Sequence, residues 1–182
     1  MIKKLILGVL ALIILVVGGF CAAAAMQSDD MTVVRTATFS STPDRIFEQV
    51  NDFHKWDAWS PWAKLDPAMK TTYAGPPSGV GASYAWQGNS DVGEGKMTII
   101  GSKPSEEVAI DLEFIQPFAA KNVTTFSMRP DGNNTTVTWK MTGKKNFVSK
   151  AMCLIVDMDK MIGGDFEKGL AQMKPIVEKA GS

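Results

Sequence analysis

The sequence predicts an α+β domain: a curved antiparallel sheet of about seven strands around one long C-terminal helix, set behind an N-terminal transmembrane helix. Three observations predict it. In the last third of the chain Phe166, Leu170, Met173 and Val177 recur at helical spacing and form one apolar stripe. Asp165, Glu167, Lys168, Gln172 and Lys174 lie off that stripe. Between residues 31 and 142 apolar and polar side chains alternate in short runs punctuated by turn residues. Near the start, residues 5–25 carry no charge. A curved sheet must cover its apolar face, and the C-terminal helix, expected over residues 147–179 with at most one break, is the element long enough to do so.

The N-terminal run sets the cellular address. Its 21 residues make a helix about 31 Å long, enough to cross the hydrocarbon core of a bilayer. Lys3 and Lys4 precede it, and Asp29 and Asp30 follow. The positive-inside rule therefore keeps residues 1–4 in the cytoplasm and places the folded domain on the non-cytoplasmic side, periplasmic or extracellular. The competing reading is a cleaved signal sequence, because Ala22 to Ala25 offers small-residue cleavage sites. The apolar run exceeds the roughly 7–15 residues of a signal core, which favours an anchor. Cys21 invites a lipoprotein reading, but Phe20 is too bulky for the residue before a lipidated cysteine. The expected organisation is a tail (1–4), an anchor (5–25), a linker (26–31) and one folded domain (32–180).

Of 182 residues, 45% are hydrophobic, enough for one real core. The 19 basic and 19 acidic residues form no basic stripe, which argues against nucleic acid as a partner. Cys21 lies in the apolar run and Cys153 in the C-terminal helix, so a disulfide between them is not expected. Two separated cysteines and one histidine cannot make a tetrahedral metal site, and no metal or other cofactor is expected.

Taken in order, residues 32–40 are rich in Val and Thr and form the first strand. Thr42-Pro43 then starts a helix, with Thr as cap and Pro where no N–H is needed. Ile46, Phe47, Val50 and Phe53 give it an apolar face. Trp56, Trp59 and Trp62 follow, and Pro61 disfavours helix at Ser60, so the helix runs into an aromatic loop. Residues 69–74, 80–87, 92–101, 107–114, 121–128 and 134–142 read as further strands. Val80, Ala82, Tyr84 and Trp86 share one face, as do Met97 and Ile99; Val108, Ile110, Leu112 and Phe114; and Thr135, Val137, Trp139 and Met141. Turns fall at residues 75–79, 88–91 and 130–133.

That element order, together with particular residues, resembles the START/Bet v 1-like superfamily, in its polyketide cyclase/dehydrase and lipid-transport branch, often called SRPBCC. The matching stretches are Val50-Asn51-Asp52-Phe53 through Trp56, Trp59 and Ser60-Pro61-Trp62; Tyr73 with Gly75-Pro76-Pro77 and Gly79-Val80-Gly81; Trp86 with Gly93-Glu94-Gly95; and Asp165-Phe166-Glu167-Lys168-Gly169-Leu170. The resemblance implies a helix-grip fold with a cavity between sheet and terminal helix. It does not imply one function, because the family mixes binders, transporters, cyclases and co-chaperone relatives.

The candidate ligand-binding residues are Trp59, Trp62, Tyr84, Trp86, Glu94, Phe114, Trp139, Met141, Ile162 and Phe166. Aromatic bodies with polar tips suit a site dry on one side and wet on the other; the alternative is that they simply fill the core. The one weak catalytic candidate is Asp159. An unbroken helix carries the stripe back from Phe166 through Ile162 to Asp159 and Ile155 and aims that carboxylate at the cavity, where burial raises its pKa. If Gly163-Gly164 breaks the helix, Asp159 turns outward instead. Glu94, between two glycines, is a possible hydrogen-bond partner for a ligand. His54, at a helix end, reads as a surface residue. Asn122-Val123-Thr124 and Asn134-Thr135-Thr136 match glycosylation triplets, which are frequent by chance.

The leading expectation is a membrane-anchored, non-catalytic domain that binds a hydrophobic or lipid-like small molecule. The alternatives are a polyketide cyclase/dehydrase-like enzyme, which needs an acid–base pair facing the cavity, and a co-chaperone-like interaction module, which predicts a filled interior.

Overall fold

The computed structural model describes residues 2–179. It opens with α1 (Ile2–Ala25), the one described helix long and apolar enough to be a candidate membrane span. The folded part runs β1 (Asp30–Phe39), α2 (Pro43–Val50), a short 3-10 helix (Phe53–Ala58), β2 (Lys70–Ala74), β3 (Ser83–Gln87), β4 (Glu94–Lys103), β5 (Glu107–Gln116), β6 (Ala120–Asp131), β7 (Asn134–Lys144), α3 (Phe147–Cys153) and α4 (Met158–Glu178). Residue 180, the expected end of the domain, lies outside the described residues.

The seven strands form one antiparallel sheet in the order β1-β7-β6-β5-β4-β3-β2. Consecutive strands from β2 to β7 are neighbours, as hairpin links require. β1 instead pairs with β7, so residues 40–69 must travel from one edge of the sheet to the other. That crossing carries α2 and the tryptophans over the concave face. Local chemistry supports each start. Thr42 is extended before Pro43 opens α2, and the Asp52 carboxylate accepts the His54 N–H to begin the 3-10 helix. Gly132, at positive φ, allows β6 and β7 to turn in two residues, tighter than the expected four-residue turn.

Strand register puts one set of side chains on the concave face. From β1 it contains Met31, Val33, Arg35, Ala37 and Phe39; from β7, Thr135, Val137, Trp139, Met141 and Gly143. The set continues with Asn122, Thr124, Phe126 and Met128 on β6, and with Val108, Ile110, Leu112 and Phe114 on β5. It ends with Gly95, Met97 and Ile99 on β4 and Tyr84 and Trp86 on β3. The alternation expected from sequence is therefore the alternation observed. Val80 is the exception: it is exposed in the turn before β3, because Gly79 and Gly81 take positive φ and keep the chain out of the sheet.

The C-terminal helix breaks once, at residues 154–157 and not at Gly163-Gly164. Asp157 caps α4 by accepting the Lys160 N–H, which fixes the restart there. The glycine pair lies inside α4. Its first member is buried against the Arg35 guanidinium, where a Cβ would fall 1.9 Å from Nη2; its second faces open space. α4 runs along β1, burying Phe166, Leu170, Met173 and Val177.

Candidate ligand-binding site

The concave face divides into a packed half and an open half. On the packed half, Phe166 of α4 stacks on Trp139 with ring centroids 4.0 Å apart and planes 4° from parallel. Trp59 meets Trp139 edge-on at 5.8 Å, and Trp62 meets both Trp139 and Phe166 edge-on. Trp56 and Phe126 complete the cluster. Its polar tips are satisfied internally. The Trp56 indole donates to the Val50 carbonyl, and the Trp139 indole to Thr124 Oγ1, which in turn donates to the Lys140 carbonyl. Trp59, Trp139, Met141 and Phe166, expected along a ligand cavity, are thus fully buried core residues. The hollow expected under α4 is filled by the tryptophan loop, which the strand crossing forces across this face.

The open half lies on β2 to β5, away from α4. Tyr73, Tyr84, Trp86, Leu112 and Phe114 are half-buried here. Tyr84 stacks on Trp86 at 5.9 Å, Tyr73 lies 5.3 Å from Tyr84, and Phe114 meets Trp86 edge-on at 6.1 Å. Trp86 lies flat over Gly95, where any Cβ would strike its ring at 2.4 Å. Burial pushes the Tyr84 hydroxyl up to about 12, with smaller contributions from Tyr73 and Asp57. Burial likewise raises Tyr73, helped by Asp57 and Asp52. Trp62 and Ile162 are half-buried residues of the packed side. Of the expected ligand-binding residues, Tyr84, Trp86 and Phe114 are therefore brought together on one accessible surface.

Two carboxylates stand elsewhere. Glu94 pairs across from Gln87 on the convex face and accepts a hydrogen bond from its amide at 3.4 Å. Asp159, expected to face the cavity with a raised pKa, has a side chain 56% exposed. Its carboxylate accepts from Arg35 Nη1 at 3.2 Å and Nη2 at 3.0 Å, and its own carbonyl accepts from Nη2 at 2.9 Å. Glu167 takes Arg35 Nε at 2.6 Å. The hydrogen bond from Arg35 holds the Asp159 carboxyl below its usual range, the reverse of the expected shift. The physical reason is position. Asp159 shares a helical face with Phe166, but in the first turn of α4 that face meets Arg35 on the edge strand β1, where the carboxylate stays open to water.

His54 is exposed, stacks on Tyr73 at 4.1 Å, and has Nδ1 2.9 Å from Asp52 Oδ1. With Phe53, Tyr73, Gly75, Pro76 and Ala82 it lines a half-open groove of about 250 Å³. A second groove of about 490 Å³ separates the start of β1 from the elbow between α3 and α4.

One buried polar residue of the concave face was not legible as such. Asn122, in the middle of β6, is buried on the concave face, and its Oδ1 has no hydrogen-bond partner. In the sequence it shows only as the first residue of a glycosylation triplet. The alternation of β6 places it inside, but nothing local says that its amide stays unpaired.

Among curated proteins, none matches the sequence. Solved structures do match the fold. A protein from Mesorhizobium loti, MLL2253, superposes with a TM-score of 0.61 at 14% identity, covering 84% of this chain and 100% of its own. Mll3558 from Rhizobium loti gives 0.60 at 18% identity, covering 79% and 96%. The Aha1 dimer from Colwellia psychrerythraea gives 0.58 at 13% identity, covering 84% and 99%. At such identities these likenesses speak to fold alone. The family model described as polyketide cyclase / dehydrase and lipid transport matches residues 30–178, the whole of the sheet and α4, and the chain therefore belongs to that family of the SRPBCC superfamily.

Proposed function

We propose that this chain is a membrane-anchored, non-catalytic receptacle for a hydrophobic or lipid-like molecule, held on the open half of the concave face. The observation that carries the reading is the row of half-buried aromatic side chains, Tyr73, Tyr84, Trp86 and Phe114, over which Phe53 and His54 reach only the Tyr84 and Tyr73 end. Apolar surface left open beside a packed core gains about 25 cal/mol per Å² when a ligand covers it.

The bilayer is the natural source of such a ligand. α3 packs against α1, and the Asn146 amide, capping α3, donates to the Ala119 carbonyl in the β5–β6 turn. Around this end Ile115, Phe118, Phe147, Val148, Leu154 and Ile155 are all exposed, Ile155 by 76%. An apolar rim continuous with a membrane helix fits the headgroup boundary. Lys3 and Lys4 put the domain on the non-cytoplasmic side.

The test uses a protease site inserted after Met26, so that the chain folds intact and the domain is then released. Native mass spectrometry should find an apolar molecule bound, and Trp86→Ala should lose it. An empty domain that takes up no apolar additive would end the proposal. A second reading, a cyclase/dehydrase-like enzyme, is favoured only by the Asp52–His54 pair beside the smaller groove. It requires His54→Ala to abolish turnover of a bound molecule, whereas the receptacle reading requires that substitution to leave binding intact.

A further inference from the structure

We infer that the groove between the start of β1 and the α3–α4 elbow holds the headgroup of one bilayer phospholipid, and that this headgroup carries a phosphate and a primary ammonium, as phosphatidylethanolamine does. The inference rests on the membrane-anchored reading above. It concerns a second site, apart from the open half of the sheet.

Size and position point to a lipid. The groove holds about 490 Å³, within the roughly 300–1,000 Å³ of small-molecule sites. Its walls are the first four residues of β1 and the elbow at 154–157 running into the first turn of α4. Only residues 26–29 join α1 to the β1 wall, and α3, which leads into the elbow, packs against α1. With α1 across a bilayer, the groove stands at the headgroup layer. Leu154 and Ile155 at its edge are exposed, as are Phe147 and Val148 of α3. They give acyl chains an apolar path from the bilayer up to the groove.

Charge names the headgroup. Lys145 lines the groove with no carboxylate at ion-pair distance among the described residues, and the nearby Asp29 is taken by Lys150. The Lys145 N–H donates to the Asp29 carbonyl, which fixes where the lysine stands. Three carboxylates line the same groove. Asp159 gives both oxygens to Arg35, and Asp30 pairs with Lys144. Asp157 is the least committed. Its Oδ1 caps α4, its Oδ2 lies 3.6 Å from the Lys160 ammonium, too far for a hydrogen bond, and its side chain is 54% exposed. A phosphate at Lys145 and an ammonium at Asp157 complete both groups. A headgroup of net negative charge meets three carboxylates against one unpaired lysine, which selects against it. A quaternary ammonium cannot donate to Asp157, and no aromatic side chain among the described residues lines the groove to hold it instead.

The experiment uses the full chain, floated first with phosphatidylcholine vesicles to test the anchor. In detergent micelles it then receives dioleoyl phosphatidylethanolamine, phosphatidylcholine or phosphatidylglycerol, and native mass spectrometry reads the retained one-lipid adduct. The expected result is a phosphatidylethanolamine adduct about tenfold above each of the others. Asp157→Asn, which keeps the cap, should bring it down to the phosphatidylcholine level. Lys145→Gln should weaken it about as much, and phosphoethanolamine, which lacks the chains, should not displace it at equal concentration. Equal retention of the three lipids, including none, or a preference for phosphatidylglycerol would overturn the groove site and leave the anchor standing. So would a preference that survives Asp157→Asn, an adduct undiminished by Lys145→Gln, or displacement by phosphoethanolamine. A preference lost in Trp86→Ala would put the lipid on the open half and overturn the groove equally. A chain that does not float overturns the anchor, and the inference with it.

Discussion

The two halves of the concave face are built from the same kinds of residue and end in different states. Trp139 on β7 and Trp86 on β3 are both inward-facing strand tryptophans with neighbouring rings. Trp139 is sealed under Phe166, Trp59 and Trp62, whereas Trp86 is left half-open beside Tyr84 and Phe114. The difference lies in what crosses above them. The chain from β1 to β2 lays its tryptophans over β6 and β7, and α4 docks along β1. Over β2 and β3 the same crossing supplies Phe53, 6.1 Å from Tyr84, and His54, stacked on Tyr73, but no tryptophan and no part of α4. One half thus supplies cohesion, and the other leaves apolar surface partly open.

The largest expected effect tests that division directly. Trp139→Ala should cost about 3–5 kcal/mol in urea unfolding, as for other large buried aromatics. Trp86→Ala should cost well under half as much stability and yet weaken ligand binding about tenfold. Equal stability losses at the two sites would erase the distinction between the halves.

The second prediction concerns base. The folded pKa of Tyr84 lies near 12 against an ordinary 10.0, so the folded state holds its proton more tightly. The resulting stabilisation is complete below pH 10 and is lost as pH rises through 12. In a denaturation series, Tyr84→Phe should remove that part of the alkaline decline. A bound ligand that covers the ring should extend the decline to still higher pH while leaving its onset near pH 10.

A smaller effect belongs to α4. Gly164 faces open space inside the helix, so Gly164→Ala should raise stability by about 0.5–1 kcal/mol through helix propensity alone. Gly163→Ala should gain less than this, because its methyl group would push the Arg35 guanidinium from its two carboxylates.

The smallest effect is acidic. Asp159 is held below its ordinary 3.8, so it contributes stability above that pH and loses it as pH falls through the depressed value. The carboxylate is more than half exposed and screened, so the loss is slight and should vanish in high salt or in Asp159→Asn.

Much of this was legible in the sequence for a simple reason. Period-two alternation fixes which side chains share a face, and the register of β5, β6 and β7 follows it residue by residue. The stripe from Phe166 to Val177 fixes the buried face of α4 in the same way. Periodicity does not say what covers a face. It could not separate Trp139 from Trp86, because both satisfy the same alternation and differ only in tertiary cover. It could not place Asp159, because helical phase gives a direction but not a height along the sheet. The elbow at 154–157 was hidden because the glycine pair advertised a break that packing against Arg35 makes unnecessary, while the operative signal was one capping aspartate, Asp157. Asn122 was hidden because an unpaired amide is a property of its surroundings.

The join between α1 and β1 limits how far the domain can travel. Only residues 26–29 separate the helix from the strand, a span of at most about 14 Å when fully stretched. Even that slack is tied down: Asp29 pairs with Lys150, Asp30 pairs with Lys144, and the Lys145 N–H donates to the Asp29 carbonyl. With α1 in a bilayer, the domain is a fixture at the membrane surface and not a ferry. On the function proposed above, a molecule bound for another compartment would then have to be handed to a second, diffusible acceptor that comes to this one.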